Sequence, residues 1–275
     1  MTDQAALLRA MMASRRPTRA PEPSGPPTIV IGSGKGGVGK SVVSVLLAQR
    51  LATEGRKVLL VDGSQNMGNL HVLLGLTRAS RLEHLLADQV PARDLLVPVQ
   101  EQLWLLPADS GAEGLYALAS VARARLHHRL SALYDDFDAV VVDAGPGIES
   151  VVRVATMRAT RCVILTVPEP AALTDAYATI KIVNLQVSDL PVDILVNRME
   201  QEQEGVEAFE RLATAAERFL RRGLRYLGGL WEDEEIRRAV RVPGRLGRGL
   251  PPGPNYDMLT TVLERLDVPA PARMA

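Results

Sequence analysis

A single cysteine, Cys162, occurs in the 275 residues. It has no partner in the chain, so an internal disulfide framework is excluded. No stretch approaches 18 consecutive apolar residues, which excludes a membrane-spanning helix. Net charge is also missing, because 32 Lys and Arg balance 32 Asp and Glu. No global field therefore draws the molecule to nucleic acid or to an anionic surface, although local patches stay open. The N-terminus lacks a basic segment followed by an apolar run and a cleavage site, and a cytoplasmic protein is the expectation. No repeat of solenoid length occurs. Apolar residues make up 47% of the chain, enough for one large core, and one domain with tails is expected.

The first 27 residues divide in two. In "DQAALLRAMM", residues 3 to 12, Leu7, Leu8, Met11 and Met12 recur at helical spacing and Asp3 is placed to cap. A short amphipathic helix is expected. Residues 17 to 27, "PTRAPEPSGPP", hold five prolines and read as an extended linker. On a tethered helix Met11 and Met12 suit the groove of a partner, with folding back onto the domain as the alternative.

From Thr28 onward β-branched runs alternate with helical stretches. Strands are expected at 28–33, 57–61, 103–107, 138–142, 161–167, 192–196 and about 225–230. Helices are expected at 40–53, 114–134, 148–159, 171–187 and 206–221. Nearly continuous apolar strands separated by helices predict an α/β fold with a mostly parallel twisted sheet covered on both faces. Ligands bind such sheets beyond the carboxyl ends of the strands.

Gly34 to Ser41, "GKGGVGKS", satisfies G-x-x-x-x-G-K-[ST] between an expected strand and an expected helix. Gly34, Gly36, Gly37 and Gly39 let the backbone N–H groups, with those of Lys35 and Val38, turn inward around phosphate oxygens. Lys40 is placed for the β- and γ-phosphates and the Ser41 hydroxyl for Mg²⁺. Asp143 closes the apolar run "DAVVVD", where this class of site holds its Mg²⁺. Asp62 closes "KVLLVD" in the same way. Taken singly, either aspartate is as well explained as a cap or turn residue.

Together, "KGGVGKS", "LLVD", "VVVDAGPGI", "TVPEPAALTDAYATIK" and "LVNR" resemble the ParA/MinD group of deviant phosphate-loop ATPases, which has the SIMIBI-type fold. The N-terminal "DQAALLR" resembles the DQAxxLR segment of its FlhG (FleN) branch, which regulates flagellar placement and number through the SRP-type GTPase FlhF. The resemblance implies an ATP-dependent homodimer with Mg²⁺. It implies that Lys35 reaches the partner's phosphates, that Asn197 reads adenine and that Glu169 approaches ribose across the dimer. It also implies that Asp3, Gln4, Leu8 and Arg9 belong to the FlhF-binding segment. Lys35, Lys40 and Asp62 are the expected catalytic set. Solvent or the molecule's own nucleotide is the alternative for Lys35, and a turn role for Asn197 and Glu169.

Two departures stand out. The group carries a water-positioning aspartate two residues after Asp62, and here "VDGSQNMGNL" puts Ser64 there. Gln65 and Asn66 are candidates to replace it. The group's relatives also carry a basic amphipathic helix at the C-terminus for membrane attachment. The segment "YDMLTTVLERLDVPAPARMA" has Leu259, Val262, Leu263 and Leu266 on one face but Asp257, Glu264, Arg265 and Asp267 on the other. A helix packed on the domain is favoured there over a membrane anchor, and a weak or transient contact with the inner face of the membrane stays open. The arginine-rich run at 237–248 reads as a solvated loop, with attraction to anionic lipid as the alternative. His71, His84, His127 and His128 show no ligand spacing, and Trp104 and Trp231 read as packing residues. Two other functions compete: a DNA- or cargo-positioning ParA-type ATPase, for which the neutral charge is unfavourable, and a non-hydrolysing ATP-binding adaptor.

Overall fold

The computed structural model describes residues 25–64, 68–76, 91–107, 128–129 and 132–270. The elements run β1 (Thr28–Gly32), α1 (Lys40–Thr53), β2 (Val58–Gly63), α2 (Leu70–Leu74), β3 (Val97–Gln100), β4 (Leu103–Leu106), β5 (Ala139–Ala144), α3 (Ile148–Arg158), β6 (Arg161–Thr166), α4 (Pro170–Gln186), β7 (Val192–Met199), α5 (Glu202–Leu220), β8 (Arg225–Trp231), α6 (Glu234–Arg241) and α7 (Pro254–Leu266). Short 3₁₀ turns fill Ala92–Leu95 and Leu246–Arg248. The expected N-terminal helix and most of the linker lie outside the described residues, as does most of the helix expected at 114–134.

Among the described residues eight strands form one sheet in the order β3-β4-β2-β5-β1-β6-β7-β8. All neighbours are parallel except β3, which pairs antiparallel with β4 at one edge. Its sequence, VPVQ, contains a proline, which an edge strand tolerates because one row of N–H groups faces outward. That proline is why the strand escapes a pattern-based reading.

Period-two alternation divides the buried side chains between two cores. Val30, Val140, Val142, Ile164 and Ile194 face α3, α4 and α5 on one side. Ile29, Ile31, Leu60, Val141 and Leu165 face α1 and α7 on the other. Both faces are covered, which is why the strands read as unbroken apolar runs. At about 25 cal/mol per Å² of apolar surface removed from water, these two layers dominate the stabilisation of the fold.

Helix α7 is part of this packing. Leu259, Val262, Leu263 and Leu266 are buried in the same core as α1, and Arg265 Nη1 donates to the Leu227 carbonyl at 3.0 Å. Beyond its end, Arg56 donates to the Val268 and Pro269 carbonyls, both at 2.9 Å. The arginine-rich run read as a solvated loop is instead α6 followed by a 3₁₀ turn, with Ala239 and Leu246 buried. Its arginines mask the helix because they sit on its exposed side, where Glu234 and Glu235 one turn away pair with Arg238. Among the described residues no helix is long and apolar enough to cross a membrane.

Candidate functional site

The loop from Gly34 to Gly39 joins β1 to α1 at the carboxyl end of the central strand, where open α/β sheets bind ligands. Its turn uses left-handed backbone at Gly39, whose φ is +95° and whose missing Cβ leaves room for Asn197 Nδ2. Lys40 then begins α1, so the loop's N–H groups and the positive end of the helix dipole face the same space. That space is a cavity of about 730 Å³ lined by Lys35, Gly36, Gly37, Gly39, Lys40 and Ser41 on the loop side.

Asp62 and Asp143, assigned from two separate strand ends, are direct partners across the β2–β5 pairing. Both are buried. Asp143 Oδ1 accepts from Lys40 Nζ and from Ser44 Oγ, each at 3.2 Å. Asp143 Oδ2 is buried with no hydrogen-bond partner among the described residues. Asp62 is used differently: Oδ1 accepts from the Ser64 N–H at 3.1 Å and Oδ2 from the Leu70 N–H at 3.3 Å. It therefore ties the segment after β2 back to the strand end and starts α2. Burial first, and then the neighbouring Asp143, push the Asp62 carboxyl above its ordinary pKa, while the bonds from Ser64 and Leu70 oppose the shift.

Ser64 lines the cavity, and its N–H donates to Asp62 Oδ1. Gln65 and Asn66 lie outside the described residues. Asn197, at the end of β7, lines the cavity and donates from Nδ2 to the Val38 carbonyl at 2.8 Å, so it braces the phosphate loop. Lys35 Nζ pairs with Glu169 Oε2 at 2.7 Å, and this bond holds the Glu169 carboxyl below the usual range. Glu169 occupies the N-cap position of α4 without a side-chain cap bond. Asp3, Gln4, Leu8 and Arg9 lie outside the described residues.

The opposite wall of the cavity was not legible from motifs. It consists of Trp231, Glu232, Asp233, Ile236, Arg237 and Val240, from the end of β8 and from α6. Trp231 is thus a wall residue and not only a packing residue. Ser44 is a second omission, and the signal for it exists: it stands one helical turn after Lys40 and so faces the same side.

A buried carboxylate oxygen without a donor, beside the lysine and under the hydroxyl-bearing start of α1, fits a Mg²⁺ held through water. A phosphate-cradling loop, its lysine and two aspartates on adjoining strand ends define a phosphate-loop nucleotide-binding protein. Comparison with known proteins narrows the class. A family model described as an AAA domain matches residues 27–191. The chain is 38% identical to the antiactivator FleN of Pseudomonas aeruginosa, over 78% of this chain and 76% of that protein. It is 34% identical to the flagellum site-determining protein YlxH of Helicobacter pylori, over 78% and 72%. Its fold is similar to that of the septum site-determining protein MinD with Mg-ADP from Pyrococcus horikoshii, with TM-score 0.66, 22% identity and coverage of 88% and 96%. The chain belongs to the ParA/MinD-type phosphate-loop ATPases, in the branch that contains FleN and YlxH.

Proposed function

We propose that the protein is an ATP-dependent dimerising switch of the FlhG type, which acts on flagellar placement or number through an FlhF-like GTPase. The observation that carries this reading is the placement of Lys35. The phosphate loop already has its own lysine in Lys40, held at 3.2 Å from Asp143. Lys35 instead projects from the loop to an exposed ion pair with Glu169. A cation at that rim is available to a second copy, where it would meet charge developing on the partner's γ-phosphoryl.

In this reading the loop N–H groups and Lys40 bind the phosphates of ATP, Asn197 faces adenine, and Ser41 and Asp143 hold Mg²⁺. Bound there, Mg²⁺ would offset phosphate charge. Glu169 exchanges its bond to Lys35 for a contact across the dimer. The segment containing Asp3, Gln4, Leu8 and Arg9 docks on the GTPase. The name of the flagellum site-determining protein YlxH supports the flagellar context, and that of the antiactivator FleN supports a regulatory one.

The test is oligomeric state by light scattering with Mg·ATP. Wild type should dimerise, Lys35→Ala should bind ATP and stay monomeric, and Lys40→Ala should do neither. A Lys35→Ala protein that dimerises as wild type does would remove the role in trans. Stimulation of FlhF by wild type, lost on deletion of residues 1 to 20 with ATP binding kept, is the companion result for the partner.

Ser64 favours a second reading, a long-lived ATP-bound dimer without useful hydrolysis. Its hydroxyl carries no charge with which to orient water.

A further inference from the structure

The wall opposite the phosphate loop is held by a residue in none of the nucleotide-binding motifs. Asn255, in the first turn of α7, is 4% exposed. Its Oδ1 accepts from the Trp231 N–H at 2.8 Å and its Nδ2 donates to the Trp231 carbonyl at 3.2 Å. β8 is the last strand of the sheet among the described residues, so its outer backbone groups have no described strand beside them. The Asn255 amide supplies that missing neighbour with one donor and one acceptor.

The same Nδ2 donates to Asp233 Oδ2 at 3.1 Å. Asp233 Oδ1 in turn accepts from the N–H groups of Glu235 and Ile236, at 2.8 and 3.2 Å, and so caps α6. One side chain thereby fixes Trp231, Asp233 and the start of α6, three parts of the cavity wall. Chemistry dictates an asparagine. An N–H must meet an oxygen, and a carbonyl and a carboxylate must meet an NH₂, which aspartate cannot provide and an apolar residue cannot replace.

The helix that carries Asn255 also holds the other side of the site. Arg50 of α1 donates from Nε to Thr260 Oγ1 at 3.2 Å and lies over the Tyr256 ring at 4.7 Å from its centroid. α7 therefore spans from the phosphate-binding helix to the far wall.

We propose that Asn255 is a positioning residue for the base half of the nucleotide pocket, setting the Trp231–Asp233 wall so that a nucleoside is admitted and held. The inference rests on the nucleotide-binding reading above. It places α7 in the binding apparatus, and not only in the core. Loss of the amide affects the base half and spares the phosphate half, because the loop and Lys40 hang on β1, α1 and Asp143 instead.

The experiment is calorimetric titration of the full chain with Mg·ATP and, separately, with inorganic tripolyphosphate and Mg²⁺. Asn255→Asp keeps the shape and turns the donor into an acceptor facing two acceptors. ATP affinity should fall about tenfold, which is of the order lost when buried hydrogen bonds are broken, with tripolyphosphate affinity unchanged. Asn255→Ala, which removes the amide without adding charge, should give the same split. An unchanged ATP affinity in both variants, or equal loss for both ligands, overturns the proposal. Wild type that binds tripolyphosphate as tightly as ATP would instead overturn the base-pocket reading itself, and the role of Asn255 with it.

Discussion

Asp62 and Asp143 stand opposite each other on paired parallel strands, and they use their carboxylates in contrary ways. Both oxygens of Asp62 are taken by backbone N–H groups of the segment it organises. Asp143 keeps one oxygen for Lys40 and Ser44 and leaves the other buried without a partner. An unpaired buried carboxylate oxygen is costly, and a hydrated cation relieves it.

That asymmetry makes a metal-removal prediction. Chelating Mg²⁺ should lower the ATP affinity of wild type roughly tenfold, an energy of about 1.4 kcal/mol. In Asp143→Asn the affinity should already be low and chelation should change it little. Titration with and without EDTA checks both. A variant that still responds to EDTA as wild type does would place the metal elsewhere.

Gly39 makes a second prediction. Alanine there meets a backbone φ of +95° and puts its Cβ 2.4 Å from Asn197 Nδ2, which is bonded to the Val38 carbonyl. Strain and collision act together on the loop, which contributes only Val38 to the two cores. Gly39→Ala should therefore lose ATP binding by tenfold or more while thermal unfolding shifts by only about 2–4 °C, as for about 1 kcal/mol in a domain of this size.

Why some of this was legible and some was not follows from distance along the chain. The phosphate loop and the two strand-end aspartates each sit at the end of an apolar run, and local pattern is enough to find them, whereas Asn197 came from the family resemblance of "LVNR". That Asp62 and Asp143 are direct register partners was not legible, because a strand-end pattern fixes neither the strand order nor the register. Strand β3 was missed because of Pro98, and α6 because charged side chains hide a helix with only Ala239 buried. Trp231 and Asn255 escaped for a stronger reason. Their meaning lies in a contact 24 residues apart between a sheet edge and the first turn of a helix, and no spacing rule encodes it.

Away from the nucleotide, Asp193 on β7 lies between Arg161 of β6 and Arg225 of β8. Its Oδ2 is 3.1 Å from Arg161 Nη1 and its Oδ1 2.9 Å from Arg225 Nε. The carboxylate is buried while both arginines reach water, so its removal leaves no stranded buried charge. Asp193→Ala should cost about 2 kcal/mol, below the figure for breaking a fully buried pair, and lower Tm by about 5 °C. Calorimetry checks the shift, and ATP binding should be unchanged because the triad lies at the opposite strand ends from the phosphate loop.

The last prediction concerns turnover. Ser64 occupies the cavity wall, but its hydroxyl carries no charge with which to orient water. Ser64→Asp adds a carboxylate there, and a group that positions the attacking water is worth powers of ten in rate. Phosphate release from saturating Mg·ATP should rise about tenfold or more over wild type, with Lys40→Ala as the measure of contaminating activity. The ATP-bound dimer of Ser64→Asp should also dissociate sooner, since hydrolysis removes the γ-phosphate that Lys35 would hold from the other copy. If wild type already turns over well above the Lys40→Ala background and Ser64→Asp does not exceed it, another group positions the water. The long-lived dimer would then give way to a cycling switch.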